Sequence, residues 1–247
     1  GVEQYHEDPE FRSYYRSTRA HNTVSVDGHE QSEIWGSFRV ARRAHPLAAS
    51  WGEDASLAFA SGGHNGFRRL DPPIDHQRTV CWIDRRFWVI CDFISGSGPH
   101  QLDSYLHFHP EVEFSHEPDS RDELAAVEGR RSAAGLKVIA WGIDSWTAHR
   151  AESNPIQGWY APEFGKKLGS TTWCLTAESQ LPASIGYVLW PESTPVSVEM
   201  ESCESEQQGE PANRLRVQSA DARYSIRVTP TTVQLESVSP PVNAPVS

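Results

Sequence analysis

The chain is short of methionine and of cations. One Met stands among 247 residues, and 22 Lys and Arg face 33 Asp and Glu, a formal net charge of -11. A surface of that sign repels nucleic acid and anionic membranes, so neither is expected as a general partner. A local basic patch for a polyanion stays compatible with it. No apolar stretch approaches the roughly twenty residues that a membrane-spanning helix needs. The opening residues, GVEQYHEDPEFRSYY, carry neither a basic segment nor an apolar one, so no secretory leader is legible in them. The cysteines Cys81, Cys91, Cys174 and Cys203 have no CxxC spacing, which argues against a zinc ribbon or a redox motif. Cys81 and Cys91 flank an expected hairpin; whether they bridge depends on a register the sequence leaves open. There is no GxSxG nucleophile motif and no glycine-rich phosphate loop before a helix. No long segment carries the 3.6-residue stripe of an amphipathic helix. The best candidate, residues 122–131, suits a short strand equally.

What is present is strand. With 38% hydrophobic residues, and nine Trp, seven Tyr and nine Phe, the chain can bury a substantial core. Residues 23–26 alternate and run into Asp27-Gly28, a hairpin turn signal. Residues 79–83 and 87–93 form a second expected hairpin around Asp84-Arg85-Arg86. Its return run, FWVICDF, is nearly continuous in apolar character and belongs in the middle of a packed sheet. Gly96–Gly98 is expected to end it. Further strands are expected at 102–108, 136–141, 171–177, 185–190, 196–201, 215–218, 224–228 and 233–235. The fold expected is all-β, an antiparallel multi-stranded β-sandwich over residues 1–236, with a Pro-rich disordered tail, SVSPPVNAPVS, over 237–247.

Several residues are candidates for chemistry. His21 lies in YRSTRAHNTVSVDGHEQSE, just before a strand and turn; it is either a surface residue or a metal ligand. Arg39 and Arg43 of FRVARRA share one face of a strand. With Arg68 and Arg69 of GFRRL they suit a carboxylate or sulfate held by guanidinium groups, or else ordinary ion pairs with nearby acids. His107 and His109 of LHFHP have HxH spacing, which fits two metal ligands or a hydrogen-bonded pair at a strand end. His64 sits between glycines in SGGHNGF, where a backbone can approach a ligand or simply turn. Trp159 and Tyr160 of QGWYAPEFGKK either stack on sugar rings or plug the sandwich edge. Tyr5, Tyr14 and Tyr15 lie near His21 in sequence and are candidates to line a cleft beside it.

RSTRAHNTVSVDGHEQSEIWGSFRVARRA, then GGHNGFRRLDPPIDHQRTV, FWVICDF, LHFHP, GWYAPEFGKK and a late strand ending in LWP follow one another in order. Together they resemble the heparinase II/III-like β-sandwich domain of polysaccharide lyases, over about residues 1–191. The resemblance implies an N-terminal (α/α) toroid as partner domain, an anionic polysaccharide as substrate, and a periplasmic or secreted location. It implies cleavage of uronate-containing polymers by β-elimination. In that family a tyrosine and an asparagine or histidine come from the toroid, and a further histidine from an HxHxD stretch. A metal, usually zinc, is held by the second histidine of that stretch, an Asp of a DxG turn and the histidine of an AHNT-like motif, which is His21 here. This sequence has AHNT but no HxHxD, and Gly1 looks like the glycine of the DxG turn. The expectation is therefore the C-terminal portion of a lyase, inactive by itself, with His21 as its remaining metal ligand. Two alternatives stand beside it: a non-catalytic carbohydrate-binding or structural sandwich, and an unrelated metal-dependent β-fold built on His107 and His109.

Overall fold

Two very long antiparallel strands organise the chain in the computed structural model, which describes residues 3–5, 8–114, 127–131, 134–192, 194–204 and 211–240. Phe87–His107 and Thr171–Trp190 pair from Trp88↔Leu189 to His107↔Thr172. Gly96 and Gly98 do not end the first strand; they bend it. Their φ values of +137° and +94° are ones that L side chains rarely adopt. A Cβ on Gly96 would also press on Ile74 at 3.0 Å. The second strand answers with a register shift between Leu181 and Ala183, so two segments expected as separate strands, 171–177 and 185–190, are one.

The bend folds the sheet onto itself. Below it, the pair continues through Asp75–Ile83, Leu57–His64 and Ser50–Glu53 on one side and Ala134–Trp141 on the other. Above it, Val24–Val26 adds to the first long strand and Ser145–Arg150 to the second. Val24, Leu102, Leu106, Trp173 and Leu175 from above meet Ile90, Ile94, Val138, Ile185 and Tyr187 from below in one core. The outer face of the lower half, with Cys81, Ile83, Phe87, Val89, Val188 and Trp190, packs on a separate four-stranded sheet. That sheet, Val196–Glu204, Pro211–Ser219, Arg223–Val228 and Val233–Ser239, contributes Leu215, Val217, Tyr224, Ile226 and Val228. A strand buried on both faces needs apolar residues at successive positions, which is why FWVICDF does not alternate.

Two local outcomes differ from expectation, and a third settles a choice between helix and strand. A helix, Pro9–Arg16, precedes the first strand; Asp8 accepts from the N–H groups of Glu10 and Phe11 at 3.2 and 3.1 Å, and Pro9 opens the first turn. Of the segment 122–131, Val127–Arg131 is strand and residues 122–126 lie outside the described residues. The last strand runs to Ser239, four residues past its expected end at Leu235 and into the segment expected as tail; residues 241–247 fall outside the described ones. All four cysteines are free thiols. The hairpin sets Cys81 opposite Val89 and Cys91 opposite Thr79, and the Cys91 sulfur accepts the Asn213 amide at 3.1 Å.

The bend gives a direct test. Gly96→Ala forces an unfavourable φ and a contact on Ile74, and should cost about 2 kcal/mol in urea denaturation. The control Gly165→Ala shares a positive φ but has nothing within 4 Å of its Cβ; it should cost about half as much.

Candidate functional site

The loop after the helix is pinned from several directions. A short 3-10 turn, Thr18–Ala20, leads into it, and Thr18 is fixed by the Glu30 carboxylate on its N–H and by the Gln31 N–H on its hydroxyl at 2.8 Å. The His21 ring donates Nδ1–H to the Ser17 carbonyl at 2.8 Å, which sets its tautomer and leaves Nε2 facing solvent. The next residue ties the loop to the sheet: Asn22 Oδ1 accepts the His107 backbone N–H at 2.7 Å, and its carbonyl accepts from the Arg78 guanidinium.

Beneath this loop lies a buried charge. Asp92 has no exposed surface. Arg78, its direct cross-strand partner, donates to both carboxylate oxygens at 2.7 Å. His76, two residues along the same strand face, donates Nε2–H to Asp92 at 2.6 Å. His76 Nδ1 then accepts from His64 Nε2–H at 3.3 Å, and His64 Nδ1 accepts the Gly66 N–H at 3.2 Å. Burial alone would raise the Asp92 pKa; the Arg78 charge and the His76 hydrogen bond outweigh it and hold the carboxyl well below the usual range.

His107 ends the first long strand with both ring nitrogens committed: Nε2–H to the Arg19 carbonyl at 3.0 Å, and Nδ1 to the Thr172 hydroxyl at 3.0 Å. Burial lowers its pKa from 6.5 to about 4. The same cause, helped by the neighbouring His76, lowers that of His64 to about 4. Both are neutral at pH 7. His109 stands apart, exposed, edge-on to Tyr160 with ring centroids 5.4 Å apart. The HxH pair is therefore split, and His107 has no lone pair left for a metal.

The other candidates divide between surface and scaffold. Arg39 and Arg43 are exposed, on and just after the ladder of Ile34–Trp35 with Arg39–Val40. Arg68 is held by Asp75 through two bonds of 2.6 and 2.7 Å. Arg69 directs its guanidinium at the Gly66 and Glu30 carbonyls. Trp159 packs edge-on against Phe11 and donates its indole N–H to Glu152 at 2.8 Å, while Tyr160 is partly exposed. Tyr5 is exposed between Phe38 and Phe164. Tyr14 and Tyr15 do not line a cleft. They form a small core with Phe11 and Ile156, their hydroxyls are sealed from solvent, and burial raises both pKa values.

A zinc ion needs three or four protein ligands. His21 offers one nitrogen, and among the described residues no group of three His, Cys, Asp or Glu side chains is placed to hold an ion. The residues present do not make a metal centre by themselves. Sequence reasoning passed over Asn22, His76, Arg78 and Asp92. The signal was an Asp inside an otherwise apolar run, FWVICDF, opposite a strand, DHQRTV, that carries a cation to meet it.

The profile of the heparinase II/III-like C-terminal family matches residues 1–208. The chain belongs to that family. Solved structures agree at the level of the fold. The heparan sulfate lyase HepC from Pedobacter heparinus superposes with a TM-score of 0.63 at 16% identity, covering 97% of this chain and 34% of that one. A heparinase III superposes with a TM-score of 0.66 at 15% identity, covering 93% of this chain and 33% of that one. The chain thus spans about a third of the length of the solved relatives it matches. No curated protein sequence matches it.

In this heparinase II/III-like domain the buried pair and the neutral histidines make two tests. Asp92→Asn leaves Arg78 without its counter-charge and should destabilise by about 3 kcal/mol, read from chemical denaturation. The double change Asp92→Leu with Arg78→Met should cost clearly less. His64 and His107 take up protons below about pH 6.5 when unfolded but only near pH 4 when folded. Folded stability should therefore fall as pH drops from 6.5 to 4, by about 1 kcal/mol per histidine after allowance for partial exposure. His107→Gln should flatten that part of the melting-temperature profile.

Proposed function

We propose that the chain is the β-sandwich part of a polysaccharide lyase that cleaves a uronate-containing, anionic polysaccharide by β-elimination, and that by itself it does not turn over. The observation that carries the reading is the AHNT loop: a family-matched segment in which His21 and Asn22 are exposed, with the Asn22 side-chain oxygen and carbonyl fixed from below by the His107 backbone N–H and Arg78. β-Elimination asks for a base at C5, an acid at the leaving oxygen and a group that neutralises the carboxylate. The Asn22 side-chain N–H suits the last task, because a pre-oriented donor at a carboxylate costs no reorganisation when charge develops there, and the His21 Nε2 lone pair suits a metal ion that would serve the same end. The base and acid are the parts this loop does not supply. Tyr14 and Tyr15 are buried, and the ring nitrogens of His64, His76 and His107 are all engaged. On this reading they come from the rest of a longer enzyme, for which an (α/α) toroid is the proposed source, and a zinc ion, if bound, takes His21 together with ligands from there. The reading places the enzyme in the periplasm or outside the cell, where such polymers are met. No helix among the described residues is long and apolar enough to cross a membrane.

The test follows the absorbance of the unsaturated uronate product with alginate, heparan sulfate and hyaluronan. The natural full-length product should turn over at least one of them, this chain none, and His21→Ala in the full-length protein should lower kcat at least a hundredfold. Turnover by the chain alone, or a full-length His21→Ala enzyme of normal rate, would refute the assignment.

A further inference from the structure

The outer face of the four-stranded sheet carries charges that the site above does not use. Leu215, Val217, Tyr224 and Ile226 point inward to the core, so the residues between them along each strand point out. Arg214, Arg216, Arg223 and Arg227 stand there against Glu199, Glu201 and Glu236, so among the described residues this face has one cation in excess, on a chain of net charge -11. Three of the four guanidinium groups are matched. Arg214 and Arg227 share Glu236, each through Nε at 2.9 Å, and Arg216 meets Glu201 at 3.1 Å. Arg223 is not matched: its Nε and Nη2 are sealed from solvent and meet no hydrogen-bond partner among the described residues.

Those two nitrogens form the edge of a guanidinium that takes an oxyanion in two parallel bonds. Elsewhere in this chain the same edge is in use. Arg68 sets Nε and Nη2 on Asp75, Arg78 on Asp92, Arg86 on Glu192 and Arg214 on Glu236, with every bond between 2.6 and 3.1 Å. At Arg223 the protein provides the donors and no acceptor, an arrangement that is costly for buried groups. A hollow of about 370 Å³ lies beside it. Two cross-strand rows line the hollow: Ser197, Gln218, Arg223 and Ser239 in one, Glu199, Arg216, Ser225 and Ser237 in the other. The rows separate the charges. Glu199 lies opposite Arg216, on a strand two away from that of Arg223, so the Arg223 row offers hydroxyls and an amide with no carboxylate among them. Rotation of the outer torsions of the Arg223 side chain turns the covered edge into this hollow.

We propose that this hollow binds an oxyanion, a carboxylate or sulfate group, in two parallel bonds to Nε and Nη2 of Arg223, with the hydroxyls of Ser197 and Ser239 beside it. A hydroxyl can donate to an oxygen that the guanidinium leaves over. The group can be a substituent of an anionic polysaccharide or a free inorganic anion; the chemistry of recognition is the same. The polymer as source rests on the lyase reading, whereas recognition of the oxyanion does not. In either case His21 takes no part.

The test follows the Arg223 Nε–H signal and the backbone amides of Ser197 and Ser239 by nitrogen–proton NMR of this chain. Sodium sulfate, sodium acetate, and alginate and heparan sulfate hexasaccharides are titrated separately at constant ionic strength. At least one should shift these signals saturably. Arg223→Lys keeps the charge without the fork and should weaken binding about tenfold, read from the two amides; Arg223→Gln should abolish it. Circular dichroism should report an unchanged fold for both variants, because the side chain lies on an outer face. His21→Ala should leave the affinity unchanged. A hexasaccharide that binds more tightly than both free anions identifies the polymer as the source, and a free anion that binds as tightly or more so identifies a small-anion site; both uphold the proposal. No saturable shift with any of the four, or equal affinity of Arg223→Gln and wild type, overturns it. So does an Arg223 signal that moves with protein concentration alone, which would mark a carboxylate of a second copy. If Arg223-dependent hexasaccharide binding holds while the full-length protein shows no lyase activity, the site stands and the lyase reading falls.

Discussion

The carboxylate of Asp92 is the constraint around which the rest is arranged. A charge with no exposed surface costs several kcal/mol unless it is paired and hydrogen-bonded on every side. Arg78 meets it with two parallel bonds and His76 with a third. That arrangement fixes the Arg78 guanidinium, whose remaining nitrogen reaches the Asn22 carbonyl. A surface loop that would otherwise be free is thereby tied to the centre of the sheet. A buried ion pair is weak evidence of net stability. Here its consequence is geometric: the loop bearing His21 and Asn22 has one position, set by a charge that has nowhere else to go.

The long strands explain why that charge can lie so deep. Phe87–His107 is buried on both faces near its start, against the folded-over half of its own sheet and against the four-stranded sheet. Asp92 points into the first of these cores, among Ile90, Ile94 and Ile185, where water is excluded. The bend at Gly96 and Gly98 closes that core, so the glycines and the buried carboxylate depend on one another although no bond joins them.

The sequence made the architecture legible because strand period, turn chemistry and aromatic content all pointed one way. The hairpin at Asp84-Arg85-Arg86 is where the turn residues put it; Asp84 and Arg85 both adopt positive φ, as such turns require. Continuous strands were harder to read, because two glycines look alike whether they break a strand or bend it, and only pairing with a second long strand decides. The helix at Pro9–Arg16 is eight residues long, too short for periodicity to stand out, and its Asp8-Pro9 start was the readable cue. The site was less legible than the fold. His21 belongs to a quotable motif, but the reasons it is held where it is, Arg78 and Asp92, are 57 and 71 positions away in sequence and adjacent only through sheet register. Tyr14 and Tyr15 looked like cleft residues by proximity in sequence. Helical geometry turned them inward to Ile156 instead.

The histidines show how burial sorts groups of one residue type into different tasks. His64, His76 and His107 have every ring nitrogen engaged, and burial keeps His64 and His107 neutral at pH 7. Groups so committed hold geometry; to exchange a proton with a substrate each would first have to break a hydrogen bond in a desolvated setting. His21 differs because a single bond to the Ser17 carbonyl satisfies Nδ1 and leaves Nε2 to solvent. An imidazole tied through Nδ1–H to a carbonyl, with Nε2 left over, is suited to meet a metal ion or a hydrogen-bond donor, and it is the member of this set that the fold leaves available.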